Sequence, residues 1–456
     1  MNEKELKAEI EKLHKENQKI RNENEGLHKE NEKLKKELDK IKEKFEEYKK
    51  RHPKTTGVKH GKSYFFKSST RSKKQKKPGA KKGHKPHFRP MPEQIDETRL
   101  IPVVVCPVCG GTDLSENVQD IRERTYEDIP INKPIVIRLE IERRYCRTCK
   151  KIVEAPVTYV LPHARLSLRV MLIVTWFKIK LRMTEEAIPE VLYRLFKLKI
   201  CEGEVIHVLS QIAKAFGPYY KQLTQDIRNA PSRHIDETTW RINGENVYMW
   251  AFVTKWEAVY KIAASRGHEV PLAVLGKEYN GVDVHDRFSA YKTLAKKTRN
   301  PQQDCWMHII SNAEELAKFY GEEGKYIHQV LKKTYKSAKA YDHKGTDEDI
   351  EKLFKDMADE LNILYKSQRC HKFVVNLLKE RDNLFEFVKN PYVEGTNNMA
   401  ERAMRPPVVA RKISGGNRSQ KGAENYEILL SVTQTLHKNE KNLVEHGHEI
   451  LLTSYG

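Results

Sequence analysis

The sequence predicts a multidomain α+β protein. Three patterns carry this prediction: a heptad repeat over residues 1–50, two C-x-x-C pairs between residues 106 and 149, and strand-like runs after residue 231 followed by long helical periodicities. A chain of 456 residues is long enough for about three domains. The expected order is a parallel coiled coil, a metal-binding β-ribbon, a helical module and an α/β domain with a helical insertion.

The net charge predicts a polyanionic partner. Lys and Arg number 84 against 63 Asp and Glu, giving a formal charge of +21, which favours nucleic acid or an anionic membrane surface. A membrane protein is disfavoured because no apolar run approaches the ~20 residues that span a bilayer. The N-terminus also lacks the apolar core of a signal peptide. We therefore expect a cytoplasmic, nucleoid-associated protein without a membrane partner.

Residues 1–50 predict a parallel homodimeric coiled coil. The d positions follow a seven-residue spacing: Leu6, Leu13, Ile20, Leu27, Leu34, Ile41 and Tyr48. Three of the a positions hold asparagine (Asn17, Asn24 and Asn31), which lowers stability but favours a dimer in one register. From Glu9 to Glu37 each g position is Glu, and each e position five residues later is Lys, Arg or His, so parallel helices place acid beside base. The alternative is a single solvated helix.

The following segment, residues 51–92, contains fourteen Lys or Arg and no acid. Such a composition builds no hydrophobic core. It favours contact with a nucleic-acid backbone, whose strength falls steeply with salt, over a simple solubilising linker.

Two cysteine pairs predict a structural zinc site. Cys106 and Cys109 precede Cys146 and Cys149 by 36 intervening residues, and four cysteines in two tight turns suit tetrahedral Zn²⁺ with no open coordination position. The segment "PIVIRLEIERRY" between them alternates apolar and polar residues, which predicts a β-ribbon with a knuckle at each end. The remaining cysteines, Cys201, Cys305 and Cys370, are expected to be buried apolar groups.

Residues 164–228 predict short amphipathic helices. Val205, Leu209, Ile212 and Phe216 share one face. The pattern fits either a helix-turn-helix that binds DNA or a helical packing module, and the sequence leaves both open.

Strand patterns begin at Arg233. "RHIDETTWRI" and "ENVYMWAFVT" flank Asn243-Gly244, which predicts a hairpin with a type I′ turn. "AVYKIAAS", the helix-like "EVPLAVLGKEY", "GVDVHD", the helix-like "YKTLAKKT" and "DCWMHI" follow. The predicted order β-β-β-α-β-α-β is that of an RNase H-like fold, and residues 309–390 are predicted to be nearly all helical.

Three acids are candidates for a metal site. Asp236 lies midway along the first predicted strand and Asp286 ends the fourth, so the two lie on adjacent strands of such a sheet. A helix over "GTNNMAERAMRP" could bring Glu401 beside them. Three converging carboxylates repel one another unless cations lie between them. Mg²⁺ or Mn²⁺ suits oxygen ligands, and two such ions ~3.5–4 Å apart can promote phosphodiester chemistry.

The same helix carries polar and cationic residues next to its acid. Asn397 and Arg405 share a face with Glu401, and Asn397, Arg402 and Arg405 could hold the acid or the DNA backbone. The alternative for this stretch is a solvated surface helix.

Four motifs of the sequence resemble those of a known family. "HIDETTW", "VHDRFSAYK", "CWMH" and "NNMAERAMRP" are similar to the blocks of DDE transposases of the insertion-sequence-66 family. That family also has a zipper-like N-terminus, a basic "PGAKKGH"-type stretch and a zinc module, so the resemblance covers nearly the whole chain. It implies Asp236, Asp286 and Glu401 as catalytic acids, metal-dependent cleavage of element ends, and attack by the freed 3′-hydroxyl on target DNA. Small accessory proteins often accompany the family.

The chain departs from the family pattern at two places, since His308 is followed by "IISN" and the last block continues as "KISGGN". Three nearby acids, Glu237, Asp283 and Glu394, compete for the same roles, and the motif match favours Asp236 over Glu237 and Asp286 over Asp283. His308 either orients a phosphate or water, or is a core histidine.

These patterns divide the chain into seven segments. They are a coiled-coil dimerisation segment (1–50), a basic linker (51–92), a four-cysteine zinc-binding domain (93–162), a helical module (163–230), an RNase H-like catalytic core (231–308), a helical insertion (309–390) and C-terminal core helices (391–456).

The leading function is a transposase that cuts and joins DNA at the ends of its mobile element. The alternatives are a dimeric zinc-dependent DNA-binding regulator with an inactive RNase H-like domain, and a structure-specific nuclease of the same fold. The presence of all three acids argues against the inactive regulator, and the family resemblance argues against the nuclease.

Overall fold

The computed structural model describes residues 93–127, 129 and 133–455, together with Gln18 and Glu32, which are helical. The rest of the predicted coiled coil (1–50) and the basic linker (51–92) lie outside the described residues. Both remain predictions. The chain divides between Thr125 and Tyr126 into two units.

In the first unit, residues 93–125 form turns without a helix or strand. The turn at Cys106 is closed by two backbone hydrogen bonds, since Cys106 N–H donates to the Gly111 carbonyl and Gly110 N–H donates to the Cys106 carbonyl, both at 2.9 Å. Gly110 adopts a left-handed φ of 74°, which a glycine tolerates without strain. The first C-x-x-C pair therefore lies on a tight turn.

The second unit begins with a short antiparallel hairpin at the other cysteine pair. Strand β1 (Arg143–Cys146) pairs with strand β2 (Lys151–Glu154), with Cys146 opposite Lys151. The strand covers only the last three residues of "PIVIRLEIERRY" and Cys146 after them, and its partner follows the second cysteine pair. The knuckle-flanked ribbon as a whole stays a prediction.

A five-stranded mixed sheet forms the centre of this unit. Its strands are β3 (Ser232–Ile242), β4 (Glu245–Val253), β5 (Ala258–Ala263), β6 (Val282–His285) and β7 (Gln302–Asp304). The order across the sheet is β5-β4-β3-β6-β7; β3, β4 and β5 are antiparallel neighbours, whereas β3, β6 and β7 are parallel. Helices α4 (Glu269–Leu275) and α5 (Ser289–Thr298) make the crossovers. The element order predicted from the sequence is confirmed.

The hairpin turn between β3 and β4 is also as predicted. Asn243 and Gly244 both have positive φ values, 50° and 82°, which a type I′ turn requires.

The fifth strand is displaced from its expected position, because β7 ends at Asp304 and "CWMHI" begins a helix instead. Its core residues Gln302 and Gln303 are polar, buried and hydrogen-bonded, so no apolar alternation marks this strand.

Helices cover the sheet and share its main hydrophobic core. They are α1 (Leu168–Ile179), α2 (Ala187–Phe196), α3 (Glu202–Asn229), α12 (Gln420–Lys438) and α13 (Leu443–Tyr455). The predicted face of α3, namely Val205, Leu209, Ile212 and Phe216, is buried. Cys201, expected to be buried, is instead exposed at the start of α3, because it lies at the helix N-cap rather than on the apolar face.

A second hydrophobic core belongs to the helices that follow β7. They are α6 (Trp306–Phe319), α7 (Gly321–Ala340), α8 (Asp347–Leu361), α9 (Gln368–Leu378) and the short α10 (Glu386–Lys389), with a 3₁₀ turn at Arg381–Asn383. Val282 and Val284 of β6 pack into this core. Cys305 and Cys370 are buried, as predicted.

The chain then returns to the sheet as α11 (Asn398–Ser414), which packs against β3 and β4. No helix in residues 93–127 and 133–455 is long and apolar enough to cross a membrane.

Candidate active site

The parallel pairing of β3 with β6 brings the first two predicted acids together. His234 lies opposite Val284, and two residues further along each strand come Asp236 and Asp286. Asp236 lies within β3, and Asp286 directly follows β6. Both carboxylates are half-buried. The sheet therefore presents them side by side at the carboxyl end of β6.

Glu401 reaches this place from the first turn of α11 and is also half-buried. Burial raises the pKa of Asp236 well above its ordinary value, and the negative charges of Glu237, Asp286 and Glu401 raise it further. Asp286 and Glu401 thus lie close enough to Asp236 for their charges to act on it. An arrangement of this kind stabilises a bound cation.

The competing acids have other structural roles. Asp283 is fully buried and its Oδ1 lies 2.5 Å from the Arg233 Nε, while Asn300 donates to its Oδ2 at 3.1 Å. Glu237 is buried and accepts from Arg266 Nε at 2.9 Å and from the Tyr291 hydroxyl. These two carboxylates are already paired, so they have little capacity left for a metal.

Glu394, the third competitor, is exposed and lies in the loop before α11. A favourable interaction with a cation is screened there by solvent. Two competitors are thus buried and paired and the third is exposed, whereas Asp236, Asp286 and Glu401 are half-buried.

Asn397 positions the helix that carries Glu401. It is the N-cap of α11, but its side chain makes no capping bond. Instead its Nδ2 donates to the Ile235 carbonyl at 2.8 Å and its Oδ1 lies 3.1 Å from Nδ1 of His234. Asn397 is 1% exposed, so it contacts β3 rather than DNA.

The middle of the same helix is tied to the sheet at a proline. Pro407 has no N–H, so the carbonyl of Ala403 lacks its usual partner within the helix. The hydroxyl of buried Tyr260 on β5 donates to that carbonyl at 2.7 Å. The helix break that proline would cause is thus compensated by a contact that ties α11 to the sheet.

The end of α11 is fixed by the "SGGN" loop. Asn417 N–H donates to the Arg241 carbonyl at 2.9 Å, and its Oδ1 accepts from the Trp240 indole at 2.8 Å. A Cβ at Gly416 would lie 2.3 Å from the Arg241 carbonyl oxygen. The "KISGGN" sequence therefore allows close backbone contact with β3.

Two cationic side chains follow Glu401 along α11. Arg402 and Arg405 are exposed. Burial lowers the pKa of Lys438 on α12, and the nearby charge of Arg402 lowers it further. Two cations held close together favour an anion between or beside them.

His308 lies at the edge of the acid group, where its Nδ1 is 3.6 Å from Oε1 of Glu401. Interaction with the Cys305 sulfur is the largest cause that raises the pKa of His308 to about 9, and the carboxylates of Glu401 and Asp286 act in the same direction. His308 is half-buried and faces the acids, so it is not a core histidine.

The two cysteine pairs have the same local chemistry. Backbone N–H groups of Cys109 and Val108 lower the pKa of Cys106, and the backbone N–H of Cys149 lowers the pKa of Cys146. Each pair thus stabilises a thiolate, the form that binds zinc. Cys106 and Cys109 belong to the first unit and Cys146 and Cys149 to the second, and their union in one zinc site stays a prediction.

The side-chain contacts of several site residues have no signal in the sequence. The Glu237–Arg266–Tyr291 network and the Asn397–His234 contact join side chains that are distant along the chain. The "DET" and "NNMAE" blocks mark Glu237 and Asn397 as candidates, but no local pattern indicates their partners.

Comparison with known proteins relates the chain to the transposases. A family model described as "Transposase IS66 family" matches residues 171–425. This is more than half of the chain, and the chain belongs to this family. It is also 22% identical over 403 residues to the "Uncharacterized protein y4hP" of Sinorhizobium fredii, covering 78% of this chain and 72% of that protein. The family membership expected from the motifs is confirmed.

Proposed function

We propose that the protein is a DDE transposase that binds the ends of its mobile element and catalyses metal-dependent DNA cleavage and strand transfer. The observation that carries this proposal is that Asp286 and Glu401, both half-buried, lie near enough to Asp236 for their charges to raise its pKa beside the larger effect of burial. Family membership supports it independently. The sheet order, with β3, β6 and β7 parallel and β4 antiparallel, supports an RNase H-like catalytic core.

The donor set fits Mg²⁺ or Mn²⁺. All three side chains offer carboxylate oxygens, which hard divalent cations prefer, and burial together with the charges of Glu237, Asp286 and Glu401 raises the pKa of Asp236. When bound, such ions supply activation of a nucleophile and stabilisation of a leaving oxygen in phosphodiester chemistry. The zinc proposed at Cys106, Cys109, Cys146 and Cys149 would be structural.

The remaining residues of the site have separate tasks. Asp236 and Asp286 hold two ligand positions on a rigid sheet, and Asn397 places Glu401 against them. Arg402 and Arg405 bind DNA phosphates beside the acids. His308 orients a phosphate or the acid Glu401 from the other side.

DNA binding and assembly follow from the segments around this core. The net charge of +21 and the basic segment 51–92 supply affinity for the DNA backbone. A parallel coiled coil over residues 1–50 would join two copies and bring two element ends together. Light scattering on the full chain and on a chain starting at Pro53 measures this, and a monomeric full chain at micromolar concentration would contradict it.

A cleavage assay tests the proposed function. Inverted repeats in the DNA that flanks the gene supply the substrate, a labelled duplex that carries one element end. Wild type is expected to nick it with Mg²⁺ or Mn²⁺, and with Ca²⁺ to bind it but cleave little, because Ca²⁺ holds its ligands in a looser shell. Asp236→Asn is expected to bind and not to nick. Binding without nicking in wild type under all three metals would favour the inactive regulator.

A further inference from the structure

A second group of metal-ligand side chains adjoins the proposed catalytic acids. The sulfur of Cys305, a ring nitrogen of His308 and a carboxylate oxygen of Glu401 all lie within 4.8 Å of one another. Among the residues that the structure describes, no other set of three Cys, His, Asp or Glu side chains meets this distance. Two of its members, Cys305 and His308, are outside the acid triad.

Backbone contacts fix the geometry of this group. Cys305 is the N-cap of α6 and His308 lies in the first turn of that helix, so the C-x-x-H spacing directs both side chains to one end. The loop before α11 is tied to the same place, since Trp306 N–H donates to the Gly395 carbonyl at 2.9 Å and Asn397 N–H donates to the Cys305 sulfur at 3.1 Å. The approach of Glu401 to Cys305 and His308 therefore depends on ordered backbone.

The imidazole has unused binding capacity. Nδ1 of His308 is buried and makes no hydrogen bond of good geometry with the described residues. It points to the space that Glu401 and Cys305 share. Its neighbours are the Cys305 sulfur and the Glu401 carboxylate, and a cation bound between these three donors would replace the proton of the imidazole.

The donor chemistry differs from that of the acid triad. Sulfur, imidazole nitrogen and one carboxylate suit Zn²⁺ and similar thiophilic ions, whereas Mg²⁺ prefers oxygen ligands only. Three protein ligands also leave one position of a tetrahedral zinc site open. Glu401 is common to both groups, so an ion bound by Cys305 and His308 would compete with the Mg²⁺ position for its carboxylate.

We propose that Cys305, His308 and Glu401 form a site for a thiophilic divalent cation such as Zn²⁺, and that occupation of this site withdraws Glu401 from the Mg²⁺ position and inhibits DNA cleavage. The binding step stands without the proposed function. The inhibition step rests on it.

Metal analysis tests the binding step. Full-length wild type, Cys305→Ser and the matched control Cys370→Ser, which changes another buried thiol in the first turn of a helix, are equilibrated with Zn²⁺ and separated from free metal. Wild type and Cys370→Ser are expected to retain one zinc equivalent more than Cys305→Ser. Equal zinc content in wild type and Cys305→Ser overturns the proposal. If Cys305→Ser does not fold, His308→Asn supplies the same comparison.

Inhibition is measured on Mg²⁺-dependent nicking, with each protein normalised to its own rate. Zn²⁺ is expected to inhibit wild type and Cys370→Ser, and added Mg²⁺ is expected to relieve the inhibition. Cys305→Ser is expected to need at least on the order of 10- to 100-fold more Zn²⁺, because loss of a group that only supports a ligand costs this much and Cys305 is itself a proposed ligand. Equal inhibition of all three overturns the inhibition step. Absence of nicking in every protein counts against the proposed function. The zinc content still tests whether Cys305, His308 and Glu401 bind the ion.

Discussion

The side chain of Asn397 joins the strand that carries Asp236 to the helix that carries Glu401 by its contact with His234. Nδ1 of His234 lies 3.1 Å from Oδ1 of Asn397. Burial is the main cause that lowers the pKa of His234 to about 4, so the imidazole is neutral at pH 7. Since Nδ2 of Asn397 donates to the Ile235 carbonyl, its Oδ1 accepts, and His234 donates from Nδ1.

Replacing Asn397 is expected to affect catalysis and stability together. Asn397→Ala leaves the Ile235 carbonyl and the His234 N–H buried without partners, at a cost of about 1–3 kcal/mol. It also frees α11 to move Glu401, so nicking should slow more than DNA binding weakens. Chemical denaturation, nicking rates and gel shifts measure these effects. Asn398→Ala, at the half-buried next position, is the control, and wild-type behaviour of Asn397→Ala would remove its positioning role.

Asp283 is expected to be structural and Asp286 functional. Asp283→Asn removes the partner of fully buried Arg233, and breaking a buried ion pair of this kind costs about 3–5 kcal/mol. Asp286 is half-buried and close to other acids, so Asp286→Asn should abolish nicking with little loss of stability. Urea denaturation of both variants measures the difference. A stable Asp283→Asn protein that cannot nick DNA would instead assign Asp283 to the metal site.

The free energy of unfolding should depend on pH through the buried carboxyl group of Glu427. Burial raises the pKa of Glu427, which Lys261 Nζ at 2.9 Å and the Ile262 N–H only partly oppose. The folded state therefore keeps this proton to a higher pH than the unfolded chain does, and stability falls as the pH rises through the range just above the ordinary glutamate pKa.

Glu427→Gln removes that charge and keeps an acceptor for the Ile262 N–H. It should raise the Tm at pH 8 by about 2–4 °C, the shift typical of roughly 1 kcal/mol, and the gain should shrink near pH 4. Glu424→Gln, on the same helix and half-exposed, is the matched control. A gain that is the same at both pH values, or equal in the control, would contradict this account.

The proposed zinc site should be required for the fold of its module. The thiolates of Cys106 and Cys146 are each favoured by nearby backbone N–H groups, and binding energy at such sites is folding energy. Cys106→Ser with Cys146→Ser is expected to lose one tightly bound zinc and to make residues 93–162 sensitive to protease. Retention of the full zinc content would exclude this assignment.

Local patterns were sufficient to predict four of the five strands of the sheet. Runs rich in β-branched and aromatic residues mark β3, β4 and β5, and Asn243-Gly244 marks their first turn. The parallel neighbours β3 and β6 then follow from the element order, and with them the pairing of Asp236 with Asp286. Only the motif resemblance grouped Glu401 with these two aspartates, because no local pattern links residues so far apart in the chain.

Other features depend on tertiary contacts that no local pattern contains. The polar strand β7 is stable because Gln303 binds the Leu384 carbonyl at 3.0 Å and the Phe387 N–H at 3.1 Å, so its residues do not alternate. Asn397 occurs where a helix cap is expected, yet its side chain bonds to β3. The approach of Cys305 and His308 to Glu401 likewise arises only when α6 and α11 meet.

The most direct test of the account compares Glu401→Gln with Glu394→Gln in Mg²⁺-dependent nicking of a labelled element end, with gel shifts on the same DNA. The account predicts that Glu401→Gln binds the DNA like wild type and does not nick it, whereas Glu394→Gln, changed at an exposed position, nicks at about the wild-type rate. Nicking by Glu401→Gln near the wild-type rate, or its loss in Glu394→Gln alone, would contradict the assignment of Glu401 as the third acid.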